Sequence, residues 1–273
     1  MAKLVYIGGY GRSGSTLLEF LLTAQPKVVA CGEVERHLRR FGRRKVCTCG
    51  RLSKKCPVWK AFQHKSGKLK GWDHAQLDLA LLDHVSGDYA VMVDSSKTAW
   101  GSLVVPFRLA RRLQEDFLLV HLVRDPRGVC WSTMRPPSRP KKARREQAPA
   151  TRLLRTALGW THANLACEMF GRLYPDRYLR VRYEDLVQAP LQVIEQILNR
   201  VSLKAPLSLD PAETRDNRHQ LYGNAMRFKI LSLAELKEDV AWKTEMPRTY
   251  WGLAAGLTWP LRRRYDYGRV VRP

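Results

Sequence analysis

LVYIGGYGRSGSTLL, residues 4–18, reads as a short apolar strand from Leu4 to Gly8, a glycine- and serine-rich loop, and an apolar helix from Ser15 to Thr23. That order is what a phosphate cradle requires. Glycines let backbone N–H groups converge on an anion, and the helix aims its positive end at the same point. The spacing nearly fits GxxxxGK[ST]: Gly9, Gly14 and Thr16 match, but Ser15 stands where the lysine belongs. In a nucleoside triphosphatase that lysine grips the β- and γ-phosphates, and the hydroxyl next to it holds magnesium. Here the cation comes earlier, at Arg12, whose planar guanidinium can grip one phosphate through two hydrogen bonds. The loop suits one terminal phosphate group better than a magnesium triphosphate.

Working outward, four more apolar runs read as strands: Val28 to Cys31, Tyr89 to Asp94, Phe117 to Val123 and Tyr178 to Tyr183. Helical patterns lie between and after them, at Asp73 to His84, Ser102 to Gln114, Arg152 to Tyr174 and Pro190 to Val201. Near-continuous apolar strands alternating with helices predict an α/β fold of P-loop-like, three-layer type, with a central parallel sheet flanked by helices. In the longest helix, Leu154, Leu158, Leu165, Met169 and Leu173 recur at roughly four-residue spacing, which reads as core packing. No internal repeat is present. Beyond Ser202 the pattern turns irregular, and that region is expected to wrap back over the ligand face.

A length of 273 residues with 45% hydrophobic and 27% charged content is enough for one substantial core and fits a single domain over residues 1–273. It excludes collagen, coiled-coil, disordered and small disulfide-scaffold classes. No run approaches the roughly 18 apolar residues of a membrane span. The N-terminus is already a strand and lacks signal-peptide regions, so a cytoplasmic protein is expected if Met1 is the true start.

The net charge of +23 is unevenly spread. Residues 36–70 hold thirteen Lys or Arg and no acid, and residues 135–152 hold seven against Glu146. The rest of the chain carries only +4, so a nearly neutral body bears two basic insertions. Such runs are either solvated faces or attractors of an anion: a nucleotide, an anionic polymer or an acidic membrane surface. Three of the six cysteines cluster as Cys47, Cys49 and Cys56. A tetrahedral zinc site needs a fourth ligand, which His64 would have to supply. A local disulfide involving Cys56, or plain structural thiols, is the preferred reading, although a cytoplasmic setting weakens the disulfide.

A second anion site follows the fourth strand, in VRDPRGVCWS, residues 123–132. Pro126 suits the first turn of a helix. Arg124 then sits at the strand end and Ser132 about two turns into the helix, so both can face the crevice at the sheet's carboxyl edge, where open α/β folds bind ligands.

Together, GRSGSTLLEFL and LVRDPRGVCWS resemble the sulfotransferases that use 3'-phosphoadenosine 5'-phosphosulfate (PAPS) and release PAP. The likeness is closer to a bacterial branch that also carries a GE, a CxCG…CPxW, a DSSK, a YEDL and a GN…R segment. These read here as Gly32-Glu33, Cys47 to Gly50 with Cys56 to Trp59, Asp94 to Lys97, Tyr183 to Leu186, and Gly223 to Arg227. The resemblance implies that the loop Gly11, Arg12, Ser13, Gly14, Ser15, Thr16 and Leu17 binds the 5'-phosphosulfate. It implies that Arg124 and Ser132 bind the 3'-phosphate, with Tyr183 close by and Asn224 and Arg227 folded over it. Asp239 and Trp242 fit the same pattern and read as structural.

Sulfuryl transfer needs a base for the acceptor, charge stabilisation on the leaving phosphate and in-line positioning, without a metal. Glu33, following the second strand, is expected as the general base, with Glu35 the alternative. Lys97, Ser96 and Arg12 are expected at the leaving group. The acceptor is expected to be a hydroxyl, or less readily an amine, of a small molecule, lipid or glycan, and the basic insertions would attract an anionic one. A P-loop kinase and a basic nucleic-acid-binding protein are the rival readings. Ser15 argues against the first. Charge confined to insertions, rather than to a reading helix, argues against the second, so no nucleic-acid partner is expected.

Overall fold

The computed structural model describes residues 2–39, 45–63, 71–99, 102–135, 148–204, 207, 217–228 and 236–268. Five strands, β1 (Lys3–Gly8), β2 (Val28–Gly32), β3 (Val91–Asp94), β4 (Phe117–Val123) and β5 (Tyr178–Arg182), form one parallel sheet in the order β2-β3-β1-β4-β5. In register, Val5 of β1 sits between Val93 of β3 and Leu118 of β4. The four strands from β1 to β4 are almost wholly buried, as a parallel sheet covered on both faces demands.

Side chains alternate between the two faces of that sheet. Val5, Ile7 and Val93 turn toward α1 (Ser15–Thr23) and, further on, α9 (Pro190–Arg200), which supply Leu18, Leu21, Ile194 and Ile197. Leu4, Tyr6 and Met92 turn the other way. They meet Leu77 and Leu81 of α4 (His74–Val85), Leu109 of α5 (Val105–Leu113), and Cys167 and Phe170 of α7 (Pro149–Leu173). This is the three-layer arrangement expected. Shorter helices α2 (Val34–Arg39), α3 (Lys60–Gln63), α6 (Pro126–Met134) and α8 (Tyr183–Gln188) complete the loops.

One expectation is corrected. The α7 stripe of Leu154, Leu158, Leu165, Met169 and Leu173 is exposed, between 44% and 62%. The buried face is Leu153, Ala157, Trp160, Ala163, Cys167 and Phe170. Most of the exposed stripe lies one residue beyond a buried position, about 100° around the helix, so a similar apolar spacing points away from the sheet. The described part of the insertion at 36–70 is anchored in the core: Cys47, Cys56, Val58, Trp59 and Phe62 are buried in the same cluster as Leu4 and Tyr6. His64 lies outside the described residues, as does nearly all of the basic stretch between Arg135 and Ala148.

The region after Ser202 does return to the sheet. Residues 217–222 run beside β2, with an isolated parallel bridge between Ala30 and Arg218 and a hydrogen bond from His219 N to Ala30 O of 2.8 Å. Three further helices follow: α10 (Ala241–Glu245), α11 (Arg248–Leu257) and α12 (Trp259–Arg264). Behind them Tyr265 and Tyr267 pack with Trp160, Val123 and Val129. Among the described residues, no helix is long and apolar enough to cross a membrane.

Candidate active site

From β1 the chain crosses to β2 on one side, and it later enters β4 on the other. The carboxyl end of β1 is therefore the switch point of the sheet, where a crevice opens. The loop after β1 lines it. Three residues there take left-handed backbone angles: Gly9 (φ 98°), Arg12 (φ 70°) and Gly14 (φ 97°). A Cβ on Gly9 would collide with the carbonyl oxygen of Leu122, and one on Gly14 would meet the Tyr183 ring at 2.6 Å. Both positions therefore demand glycine. Thr98 clasps the loop from the far side: Gly9 N donates to Thr98 Oγ1 (3.0 Å), and Thr98 N donates to Gly9 O (3.1 Å).

Within this loop the Ser13 hydroxyl is buried and has no hydrogen-bond partner among the described residues, and none of those residues stands where a side chain on Gly11 would be. A buried unpartnered hydroxyl is costly unless something polar meets it. Arg12 is exposed, Ser15 is buried, and Thr16 and Leu17 are partly buried on the first turn of α1.

Arg124, at the end of β4, is 5% exposed. Its guanidinium stacks over the Tyr183 ring at 4.4 Å, donates to Arg12 O (3.1 Å) and to Asp239 O (2.8 Å), and pairs with Asp239 Oδ2 at 3.2 Å. Arg135 donates to both Asp239 oxygens as well. Burial raises the Asp239 carboxyl, and the two arginines outweigh it, leaving its pKa below the ordinary value. Asp239 thus does more than pack: it is the carboxylate that meets Arg124. Ser132 is partly buried on α6, and its neighbour Thr133 lines the cleft described next.

The second arginine of the motif has a different task. Arg127 is 1% exposed, pairs with Asp125 at 2.6 Å, and is flanked by Trp242 at 5.0 Å and Trp251 at 4.7 Å. It fastens the C-terminal helices to α6.

A cleft of about 330 Å³ runs between the loop and the ends of β2 and β3, with Arg12, Glu33, Glu35, Ser96 and Lys97 on its walls. Lys97 Nζ lies 2.6 Å from Glu33 Oε1, and Arg36 Nε lies 2.5 Å from Glu33 Oε2. Burial raises the Glu33 carboxyl, but Lys97 and Arg36 more than offset it, so the group sits below its ordinary pKa. The Lys97 backbone is itself left-handed (φ 72°) and is pinned by the Tyr6 hydroxyl, which donates to Lys97 O at 2.6 Å.

Ser96 is already engaged. Its hydroxyl donates to Asp94 Oδ1 (2.6 Å) and accepts from Glu35 N (3.0 Å). Asp94 is in turn 2.8 Å from His74 Nε2, and Asp78 lies 3.2 Å from the same nitrogen. Burial lowers the His74 pKa, but the two carboxylates reverse this and raise it well above its ordinary value. His74, within hydrogen-bond reach of both Asp78 and Asp94, thus holds the end of β3, and through it Ser96 and the start of α2.

Asn224 is exposed, and its Oδ1 accepts from Met226 N (3.2 Å), closing a turn. Arg227 donates to Gly223 O (2.9 Å) and lies near enough to Glu33 for each to shift the other.

One buried acid escaped the sequence reading. Glu19, on the inner face of α1, accepts from Gln220 Nε2 at 2.7 Å, and burial pushes its pKa up to about 8. An acid inside an apolar helix was the available signal.

The six cysteines are all free. Of the two readings preferred for the cluster, a disulfide involving Cys56 or plain thiols, the disulfide is not formed: Cys47 Sγ and Cys56 Sγ stand 3.7 Å apart.

Solved structures share this fold. The sulfotransferase domain of the Synechococcus PCC 7002 olefin synthase superposes with a TM-score of 0.64 at 20% identity, covering 99% of this chain and 96% of its own. The sulfotransferase domain of the curacin biosynthetic pathway gives 0.58 at 18% identity, covering 93% and 96%. A mouse sulfotransferase complexed with PAP gives 0.53 at 12% identity, covering 98% and 86%. At these identities the likeness is one of fold. No curated protein matches by sequence. The model of the sulfotransferase family matches residues 5–206. Because that match takes in the glycine loop, Glu33, Lys97, Arg124 and Tyr183, the chain belongs to the sulfotransferase family.

Proposed function

We propose that the chain moves the sulfuryl group of PAPS to a hydroxyl, or less readily an amine, of its acceptor. The observation that carries this reading is the Glu33–Lys97 pair on the wall of a cleft that begins at the glycine loop. A base and a cation are held side by side next to an anion cradle.

The residues present fit the donor nucleotide. The unpartnered Ser13 hydroxyl and the backbone N–H groups of Gly11 to Thr16 would meet its 5'-phosphosulfate. Arg124, with Ser132 and Tyr183, would meet its 3'-phosphate. When bound, PAPS supplies an activated sulfuryl group on a good leaving phosphate.

Glu33 takes the acceptor's proton at a carboxylate oxygen. Its low pKa keeps it ionised near neutrality but makes it a weak base, so the proton transfer depends on the acceptor displacing Lys97 from Oε1. Lys97 and Arg12 then lend positive charge to the leaving phosphate. Ser96 keeps Glu35 and β3 in place through Asp94. Arg227 stands beside Glu33 and suits an anionic acceptor there, in keeping with the basic stretches at 36–70 and 135–152. The acceptor class remains a small molecule, lipid or glycan, with an acidic membrane surface as one place to meet it. No nucleic-acid partner and a cytoplasmic setting belong to the same proposal.

The test is a thermal-shift titration with PAP in magnesium-free buffer, against ADP, and against ATP with magnesium. A ligand that binds only the folded state raises the melting temperature by mass action. Stabilisation by PAP beyond that by ADP is expected. Stabilisation only by ATP with magnesium would overturn the reading in favour of a kinase.

A further inference from the structure

Cys47, Cys49 and Cys56 meet His219, which lies 163 residues beyond Cys56 in sequence, beside β2. Their donor atoms all lie within 4.8 Å of one another. Cys56 Sγ is 3.7 Å from Cys47 Sγ and 3.3 Å from His219 Nδ1. Two thiolates at about 2.3 Å from a tetrahedral zinc stand about 3.8 Å apart, and a thiolate and an imidazole nitrogen about 3.5 Å. The observed spacings are those of ligands on one ion. Cys47, Cys56 and His219 are buried, and Cys49 is partly buried.

The backbone is arranged for this. Cys47 to Gly50 forms a tight turn, with Gly50 N donating to Cys47 O (2.9 Å), Gly50 left-handed (φ 81°), and the turn closed by a Val46–Leu52 bridge. That turn aims Cys47 and Cys49 at the same place, while Cys56 enters from the short helical turn after it. His219 is held on three sides. Its N donates to Ala30 O, its O accepts from Trp59 Nε1, and the flanking Arg218 O and Gln220 N are both bonded to Thr48 Oγ1.

We propose that Cys47, Cys49, Cys56 and His219 bind one zinc ion in a closed, structural Cys₃His site. Three sulfurs and one imidazole are the soft, tetrahedral donor set that selects zinc, and with four protein ligands no position is left for chemistry. Three thiolates and Zn²⁺ carry a net single negative charge. The described part of the segment 36–70 carries Arg36, Lys45, Arg51, Lys54, Lys55 and Lys60 and no acid, a charge balance that suits it. The ion would staple the Cys47–Trp59 segment to residues 218–220. It would thereby fix the wall beside β2 from which Glu33 and the Gly223–Arg227 turn project. This inference does not depend on the identity of the sulfuryl donor.

The test is metal content by mass spectrometry on the whole chain purified without chelator, with cobalt exchanged for zinc as a spectroscopic probe. One zinc per chain is expected, together with the visible bands of tetrahedral cobalt and a thiolate-to-cobalt charge-transfer band. Cys56→Ser and His219→Ala should lose the metal and melt lower, while Cys130→Ala, at a buried cysteine outside the cluster, should retain it. Wild-type protein that takes up neither zinc nor cobalt overturns the proposal without reference to any variant. So does a disulfide joining two of the three cysteines, or zinc that persists undiminished in both ligand variants.

Discussion

Lys97 Nζ lies 2.6 Å from Glu33 Oε1, so the cation assigned to the leaving group and the base assigned to the acceptor are each other's partner in the free protein. Lys97 exerts the larger Coulombic pull on Glu33, with Arg36 the next. Lys97→Met should therefore raise the Glu33 pKa and move the acid limb of the kcat–pH profile to higher pH. The plateau rate should fall about 100- to 1000-fold, the usual cost of removing one charge-stabilising donor. An acid limb that stays in place would mean that Glu33 is not the titrating base.

Glu33 and Glu35 both line the cleft, and Glu33 is clamped between Lys97 and Arg36. Glu33→Gln should bind PAP with unchanged affinity by calorimetry and lose roughly 100- to 10,000-fold in turnover. Glu35→Gln should retain most of it. The reverse pattern would hand the role to Glu35.

Arg124→Ala should leave the circular dichroism spectrum intact and weaken PAP binding roughly 10- to 100-fold, the range for a lost hydrogen bond to a charged group. Its present partner Asp239 is an anion, and its other contacts are the Tyr183 face and two carbonyls, so the guanidinium is already organised around negative charge. Undiminished PAP affinity would sink the assignment to the 3'-phosphate.

Arg127, three residues on, should behave in the opposite way. Removing one partner of a fully buried pair leaves an uncompensated charge and costs about 3–5 kcal/mol. Arg127→Ala should lower the melting temperature sharply, and Asp125→Asn combined with Arg127→Met should recover much of the loss. PAP affinity measured below the melting transition should stay close to that of the parent. A variant with normal stability and lost PAP binding would place Arg127 in the nucleotide site.

This contrast marks the limit of what the chain's own pattern reveals. The β1–loop–α1 unit and the end of β4 were legible because each is local: apolar runs set the strands, and glycines with positive φ set the turn. RDPR carries two identical side chains, and only burial separates the one at the cleft from the one between two tryptophans. Asp239 meets Arg124 across 115 residues, and His219 meets Cys56 across 163. Both lie in irregular segments where no period announces a polar side chain's destination. The exposed leucines of α7 misled for the converse reason. Their spacing is helical, but spacing alone does not say which flank faces the sheet.

Glu19 offers a pH-dependent test of the core beneath the glycine loop. Its pKa is about 8 in the folded chain and near the ordinary carboxylate value, about 4.5, when unfolded. The folded state therefore holds this proton more tightly. The associated stability is fully present below about pH 4.5 and is lost as pH rises through about 8. Glu19→Gln keeps an acceptor for Gln220 Nε2 and removes the titration. The melting temperature of the variant relative to the parent should thus climb from about pH 5 to pH 8 and level off above it. A difference that stays flat across that range would mean that Glu19 is ionised in the folded protein, and that its charge is stabilised by the neighbouring Lys97.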